Sequence, residues 1–202
     1  ADPAGGGGRM VCEEGQYSQR LGIVGGNGMN GEGSLTAEGL VNKGAITNPC
    51  SDVTTNIKYA NLGGCIGCVY GDVSIRNCEN QGSVGVEQAS AKSNGYSLIL
   101  GGIIAMAGEG ECVIEKCNNT GVMLNFFYNN NDWVAYTSNA SGGIIGAYDY
   151  MAAGSRSCNK TARISDCTVT AGQWGYRGIC GGIAGFAAKA DISKCQCTGN
   201  MD

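Results

Sequence analysis

Cysteine is the residue type with the most chemical potential in this chain, which has 202 residues, twelve cysteines and no histidine. Without histidine the chain cannot assemble a Ser-His-Asp or Cys-His catalytic group, or a zinc site with histidine ligands. The one Cys-x-x-Cys pair, Cys65 with Cys68, has no second pair to complete a four-cysteine site. We therefore predict no metal and no cofactor.

The cysteines are interpreted instead as disulfide-forming or buried residues of a secreted protein, because a chain with twelve cysteines would be unusual in a reducing compartment. Three N-glycosylation sequons, at Asn118, Asn139 and Asn159, favour the same extracellular location. Connectivity does not follow from the spacing. The candidate bridges join Cys112 with Cys117, Cys158 with Cys167, Cys68 with Cys78, Cys12 with Cys50, and Cys180 with Cys195 or Cys197, and Cys65 is a further candidate.

Carboxylates are the second residue type with catalytic potential. A glycosidase needs two of them about 5 to 9.5 Å apart across a cleft, and Glu109 and Glu111 are close enough in sequence to be considered. Their setting beside a turn is more typical of solvated loop charges. The Gly-x-Gly-x-x-Gly pattern at residues 26–31 is not followed by an amphipathic helix, so it indicates a glycine-rich turn rather than a dinucleotide site. We predict that the domain is not an enzyme.

Charge and hydropathy restrict the partners further. The net charge is −4, with 15% charged and 43% hydrophobic residues, so we expect a folded domain without the basic surface that nucleic acid requires. The longest apolar run, residues 98–108, is too short to span a bilayer, and membrane attachment would need an anchor outside this sequence. Residues 1–8 resemble a vector-derived linker, which leaves residues 9–202 as one domain.

Aromatic residues concentrate in the least repetitive stretch, between residues 122 and 140. Insertions in repeat proteins form loops, often on the binding face. Aromatic rings beside amide side chains suit contact with a sugar or a protein, and packing over the flank of the domain is the alternative. The candidate contact residues are Phe126, Phe127, Tyr128, Trp133 and Tyr136, with Trp174 and Arg177 in the next linker.

Internal repeats are the elements that must position these residues. Gly-Gly-apolar segments recur with a period of about 40 residues. Each later copy continues into an alternating strand that ends in Ile-x-x-Cys, and Leu40 replaces the cysteine in the first copy. A position that accepts leucine or cysteine is interior. The segments begin at Gly63, Gly101, Gly142 and Gly181, with a degenerate copy at Gly22, and the cysteines are Cys78, Cys117, Cys167 and Cys195.

Three further positions recur with the same period. The glycine of an Asn-x-Gly turn is expected to supply a positive φ. Charged residues of mixed sign indicate a solvent-exposed face. Tyrosines before the glycine pair predict a stacked column of rings, with a ligand-binding aromatic ladder as the alternative. These positions hold Gly44, Gly82 and Gly121; Arg76, Lys116, Asp166 and Lys194; and Tyr17, Tyr59, Tyr96, Tyr136 and Tyr176.

The pattern Gly-Gly-Ile-Ile-Gly followed by Ile-x-x-Cys-x-Asn-x-Gly-x-Val resembles the GLUG-type repeat of bacterial and protist surface proteins. Residues 63–84 and 101–122 match best, 142–169 match with an insertion, 181–199 match in part and 22–46 match weakly. The resemblance implies an extracellular, repetitive β architecture, often in adhesin-like or peptidase-associated proteins, and no catalytic residues. The high cysteine content departs from the family.

We therefore predict an all-β fold, a right-handed β-solenoid of about five repeats, with a five-bladed propeller or a β-prism as alternatives. The expected function is a non-enzymatic cell-surface domain for adhesion, recognition or antigenic display, whose partner is a protein or glycan on another cell surface. A carbohydrate-binding or polysaccharide-acting module and a passive coat or spacer are the alternatives. The predicted copies lie near residues 17–47, 59–84, 96–123, 136–170 and 176–199.

Overall fold

The computed structural model describes residues 10–11, 18–27, 33–48, 59–86, 97–125, 139–149, 160–175 and 178–201. All regular structure in these ranges is β-strand, as the sequence predicts, and they hold no helix with the length and apolar character to cross a membrane. In chain order the strands are β1 (Met10–Val11), β2 (Ser18–Leu21), β3 (Val24–Asn27), β4 (Gly33–Glu38), β5 (Val41–Asn42), β6 (Ile46–Asn48), β7 (Tyr59–Gly63), β8 (Ile66–Arg76), β9 (Glu79–Asn80), β10 (Val84–Val86), β11 (Ser97–Gly101), β12 (Ile104–Glu115), β13 (Asn118–Asn119), β14 (Met123–Asn125), β15 (Ala140–Gly142), β16 (Ile145–Tyr148), β17 (Ala162–Ser165), β18 (Thr168–Val169), β19 (Gln173–Gly175), β20 (Ile179–Gly181), β21 (Ala184–Ala187), β22 (Ala190–Ser193) and β23 (Gln196–Cys197).

The strands form four sheets in which the neighbours are equivalent strands of successive repeats. In spatial order, sheet A is β1-β6-β10-β14-β19, sheet B is β2-β7-β11-β15-β20 and sheet D is β5-β9-β13-β18-β23, and sheet C holds the other eight strands. Every pairing between the described strands is parallel. Propeller blades are antiparallel, so the propeller alternative is wrong.

The chain visits the sheets in one order, B, C, D and A, in each repeat. In sheet C the second and third repeats contribute single long strands, β8 and β12, where the other repeats contribute two short ones. The register confirms the predicted repeat, because Leu62 pairs with both Leu21 and Leu100. It also confirms that Leu40 occupies the cysteine position, because Val41 pairs with Glu79, the residue after Cys78.

The core lies inside the stack and is built from the isoleucines of the repeated elements. In the second half of β8 the side chains of Val73 and Ile75 are buried, whereas Asp72 and Arg76 are exposed, so the predicted alternation is present. Ile114 and Ile164 continue the column of Ile75 and are fully buried. Complete burial of one such side chain stabilises the fold by roughly 1.5 to 3 kcal/mol.

A residue with left-handed φ forms one corner of every repeat, immediately before the cysteine position. The φ values are 66° at Gly39, 52° at Asn77, 53° at Lys116, 54° at Asp166 and 51° at Lys194. Asparagine and glycine adopt this conformation readily, but a lysine pays roughly 1 to 2 kcal/mol for it. This position lets the chain turn sharply from sheet C into sheet D.

Two predictions about the repeated positions are corrected by this register. Arg76 pairs with Glu115, and therefore lies one residue before the column of Lys116. The glycines of the Asn-x-Gly turns do not have a positive φ. They are required by close stacking, because a Cβ on Gly82 would collide with the carbonyl oxygen of Gly44 in the preceding repeat.

Candidate functional site

The long connections between repeats start and end at one corner of the fold, where the chain passes from sheet A to sheet B. Their starting points are aligned, because Val86 at the end of β10 pairs with Asn48 and Asn125. Their end points are aligned too, since Tyr59 pairs with Ser97. Neighbouring strands are about 4.8 Å apart, so consecutive connections leave side by side. We call this place the A–B corner; its long connections are residues 49–58, 87–96 and 126–138.

The segments that carry the candidate contact residues all meet the A–B corner. Six of the residues lie outside the described residues, five of them in the connection 126–138 and one in the short connection 176–177. The seventh, Trp174, lies on β19, where its backbone pairs with Leu124 of β14. The six are Phe126, Phe127, Tyr128, Trp133, Tyr136 and Arg177.

The sequons differ in what the fold allows at each. Asn139 is only 1% exposed, and its side-chain oxygen accepts a hydrogen bond of 2.9 Å from the backbone N–H of Leu98. A glycan cannot be attached to a side chain held in this way, so the prediction of glycosylation at Asn139 is wrong for this fold. Asn118 is half-buried on β13, and Asn159 lies outside the described residues.

The predicted tyrosine column can be examined only at Tyr59. Tyr59 of β7 pairs with Ser18 on one side and with Ser97 on the other. The described residues aligned with Tyr59 are therefore serines, which contradicts the predicted column at this position. A shift of one residue turns a side chain to the opposite face of a strand. Tyr17, Tyr96, Tyr136 and Tyr176 lie outside the described residues.

Four cysteine side chains form a column through the interior of the stack, as predicted for an inward position. Sheet D aligns the residues that follow them, because Asn118 pairs with Glu79 and Thr168, and Thr168 pairs with Gln196. Cys78, Cys117 and Cys167 are at most 1% exposed, whereas Cys195 in the last repeat is half-buried. We call Cys78, Cys117, Cys167 and Cys195 the thiol column.

Each sulfur of the thiol column has the same surroundings. Cys117 Sγ lies 3.3 Å from the carbonyl oxygen of Glu115 in its own repeat and 4.0 Å from that of Ile75 in the preceding one. For Cys167 the corresponding distances, to Ser165 and Ile114, are 3.2 and 3.9 Å. Equal surroundings mean that the sulfurs repeat with the strand spacing of about 4.8 Å.

The thiols of the column change one another's acidity. The thiols of Cys117 and Cys65 lower the pKa of Cys78 through their contacts with its sulfur. Contact with the thiol of Cys117 also lowers the pKa of Cys167. The contacts with Cys167 and Cys78 raise the pKa of Cys117, and burial adds to the effect. The acidity of each thiol in the column therefore depends on its neighbours in the adjacent repeats.

The structure contains none of the disulfides that its described cysteines were predicted to form. Cys65, Cys78, Cys112, Cys117, Cys167, Cys195 and Cys197 are all thiols. The bridges of Cys112 with Cys117, Cys68 with Cys78, Cys158 with Cys167 and Cys180 with Cys195 or Cys197 are therefore not formed. The reason is that inward positions of one repeat belong to different columns: Cys112 stacks between Val73 and Ala162. Cys12, Cys50 and Cys158 lie outside the described residues.

A ladder of buried asparagines, which the sequence analysis missed, runs beside the thiol column. The amide nitrogen of Asn42 donates to the side-chain oxygen of Asn80 at 2.7 Å, and the amide nitrogen of Asn80 donates to that of Asn119 at 2.8 Å. The ladder ends there, because Val169 takes the position in the fourth repeat and leaves the amide nitrogen of Asn119 without a hydrogen-bond partner among the described residues. The spacing in the sequence could have indicated the ladder, since each asparagine lies two residues after the position that holds Leu40 or a cysteine of the thiol column.

Ion pairs occupy the outer face of sheet C. Asp72 accepts a hydrogen bond from the backbone N–H of Glu111 at 2.7 Å and another from Lys160 at 3.1 Å, and both lower its pKa. The carboxylate of Glu111, one of the two considered for glycosidase chemistry, is paired with Arg163 at 3.0 Å. These side chains are exposed, so solvent screens the pairs and they contribute little to the stability of the fold.

The described ranges contain no group of three or more cysteine or acidic side chains that converges as a metal site. Comparison with known proteins gives no match to any protein-family model, curated protein or solved structure. Function must therefore be inferred from the residues of this chain and their arrangement.

Proposed function

We propose that this domain is a non-enzymatic, extracellular surface module that uses the A–B corner for adhesion or recognition. The observation that carries the proposal is the alignment of three long connections at one corner of a regular stack. In repeat proteins, loops that leave one face in a row form the binding surface. The residues with the best composition for such contacts, the aromatic group of 126–138, belong to the third connection of that row.

The architecture we propose for this module is a right-handed β-solenoid. Its support is that the chain visits the four sheets in the same order in each repeat, and that each strand pairs with its equivalents one repeat away. Connections between parallel strands of one sheet are right-handed in almost all proteins. Stacked repeats of this kind give a stiff scaffold, and the likeness of the motif to GLUG-type surface repeats agrees with an extracellular role.

The partner class we propose is a protein or a glycan on another cell surface. Tyrosine and tryptophan provide large contact areas with a polar atom at one end, which suits either partner. The outer face of sheet C is a weaker candidate, because its charged groups are already engaged with one another at 2.9 to 3.1 Å. The net charge of −4 disfavours nucleic acid.

Binding to a broad glycan array and to intact cells tests the proposal. The informative variant is the double substitution Tyr128→Ala, Trp133→Ala in the connection 126–138. The matched control is Tyr150→Ala, which removes a ring from the connection between β16 and β17, both strands of sheet C. We expect saturable binding that weakens at least about tenfold in the double variant, as the loss of a hot spot does, and is retained in the control.

The outcomes distinguish the alternatives. Binding to defined glycans that the double variant loses assigns carbohydrate recognition to the corner. Binding to cells with a blank array assigns a protein partner. Binding that survives the double variant, or that the control loses to the same extent, refutes the assignment to the corner. Absence of binding to both leaves the passive spacer.

A further inference from the structure

One member of the thiol column is accessible to solvent in this structure. Cys195 is half-buried, and its neighbour Cys167 is fully buried. Cys195 belongs to the last repeat, whose strands β22 and β23 have a paired neighbour on one side only among the described residues. Cys78 and Cys117 are at most 1% exposed and lie deeper along the column. A reagent that enters from solvent therefore meets the column at Cys195.

We propose that Cys167 and Cys195 form an oxidative modification site, at which a small-molecule disulfide such as oxidised glutathione links the fourth and fifth repeats covalently. The Cys195 thiolate attacks one sulfur of the oxidant, which gives a mixed disulfide and releases one glutathione. The Cys167 thiolate then attacks Cys195 Sγ and releases the second glutathione. The two cysteines lose two electrons and two protons, and the oxidant gains them as two thiols. The inference does not depend on what the A–B corner binds.

The register holds the two cysteines opposite each other. Ile164 pairs with Ile192 three residues before them, and Thr168 pairs with Gln196 directly after them. Neighbouring strands place the Cα atoms about 4.8 Å apart, inside the range of about 4.4 to 6.8 Å seen in disulfides. Rotation about the Cα–Cβ bond of Cys195, the more exposed of the two, turns its sulfur toward Cys167.

The Cβ atoms repeat with the same spacing of about 4.8 Å, whereas disulfides place them about 3.5 to 4.5 Å apart. Closure therefore needs an approach of about 0.3 Å or more at the last repeat. Cys195 is the less buried of the two residues, which leaves its side chain room for this approach. A bond formed under this constraint is reduced easily, so we expect the link to be reversible.

Cys197 provides a control within the same strand. It is exposed, like Cys195 it lies in the last repeat, and it pairs with Val169. It therefore has no thiol directly opposite that could resolve a mixed disulfide. Under the same oxidant Cys197 is expected to stop at the glutathione adduct, whereas Cys195 proceeds to the protein disulfide.

Peptide mapping of the folded chain without reduction tests the proposal. Trypsin cleaves after Arg163, Arg177 and Lys194, so Cys167 lies in residues 164–177 and both Cys195 and Cys197 lie in residues 195–202. After treatment with oxidised glutathione we expect these two peptides to be linked, with one glutathione retained on the second. Dithiothreitol should remove both modifications. The link should be at least about tenfold more abundant than after the same treatment in denaturant, where the register is lost.

Two variants assign the link to one sulfur. Cys197→Ser should retain it, and Cys195→Ser should abolish it while preserving the circular dichroism spectrum. A link that persists in Cys195→Ser overturns the proposal, because it must run through Cys197. A wild-type protein that keeps glutathione on Cys195 with an unmodified Cys167, or that links Cys167 to a cysteine outside residues 195–202, overturns it equally.

Discussion

Asn80 and Asn119 occupy the same position of successive repeats and are both fully buried, yet their replacement by alanine should have unequal costs. Asn80 takes part in three side-chain hydrogen bonds: it accepts from Asn42 at 2.7 Å and donates to Asn119 at 2.8 Å and to the carbonyl oxygen of Gly82 at 2.9 Å. At about 1 kcal/mol for each bond, Asn80→Ala should destabilise the fold by about 3 kcal/mol.

Asn119→Ala removes fewer hydrogen bonds than Asn80→Ala, and it also removes a buried amide nitrogen that has no hydrogen-bond partner among the described residues. The side-chain oxygen of Asn119 accepts from Asn80 and from the backbone N–H of Gly121, and that N–H keeps the carbonyl oxygen of Asn80 as a second acceptor. Its amide nitrogen is buried without a partner among the described residues. Deleting this nitrogen recovers part of its desolvation cost, so the net loss should be only about 1 kcal/mol. The cavity term is similar at two sites of equal burial and cancels in the comparison.

Thermal unfolding followed by circular dichroism measures the difference. For a chain of this length about 1 kcal/mol shifts Tm by about 2 to 4 °C, so we expect a decrease of about 6 to 12 °C for Asn80→Ala and about 2 to 4 °C for Asn119→Ala. Asn200→Ala, at an exposed position outside the ladder and without a left-handed φ, controls for the general effect of removing an asparagine. Equal decreases for the two ladder variants would show that the ladder is not held by the hydrogen bonds described here.

Three further predictions concern the left-handed corner before the cysteine position, the Gly-Gly pair and the reactivity of the thiols. Gly39→Ala should lower stability by about 1 kcal/mol because of its positive φ, and Lys116→Gly should raise it by a smaller amount; a decrease for both in urea unfolding would contradict this. Gly102→Ala should abolish cooperative unfolding or cost at least about 3 kcal/mol, because its Cβ would collide with the Gly143 carbonyl and the Asn119 amide; a shift below 1 kcal/mol would contradict it. Burial raises the pKa of Cys112 to about 12, so iodoacetamide at pH 8 should label exposed Cys197 and spare Cys112 in the folded protein, as mass spectrometry can establish.

The sequence predicted burial correctly where the type of residue at a position indicates directly whether its side chain faces the interior. Alternation through Val73 and Ile75 predicted a half-buried strand, and the structure buries both. The exchange of Leu40 for a cysteine predicted an inward position, and the thiol column occupies it. The first inference uses the period of two along a strand, and the second uses the residue types that one position accepts. Both depend on local properties and not on how the repeats are joined.

Reasoning failed where the result depended on a register shift of one residue. Arg76 and Lys116 both lie near the end of a strand, and only the pairing of Arg76 with Glu115 shows that Lys116 belongs to the next column. The sequence did not predict the left-handed corner either, because the residues aligned there, such as Asn77 and Lys116, have chemically different side chains. A one-residue error exchanges inside and outside in a strand, so a sequence motif predicts the repeat better than it predicts which residues stack in one column.

The columns also explain why the stack is not uniform. The first three repeats are joined by the asparagine ladder, which Val169 interrupts at the fourth. Beyond that point the last repeat has an exposed Ile192 and a half-buried Cys195, where its predecessors bury Ile164 and Cys167. The proposed link between Cys167 and Cys195 therefore joins repeats in the part of the stack that the asparagine ladder does not reach, and Cys195 is the member of the thiol column that an oxidant can approach.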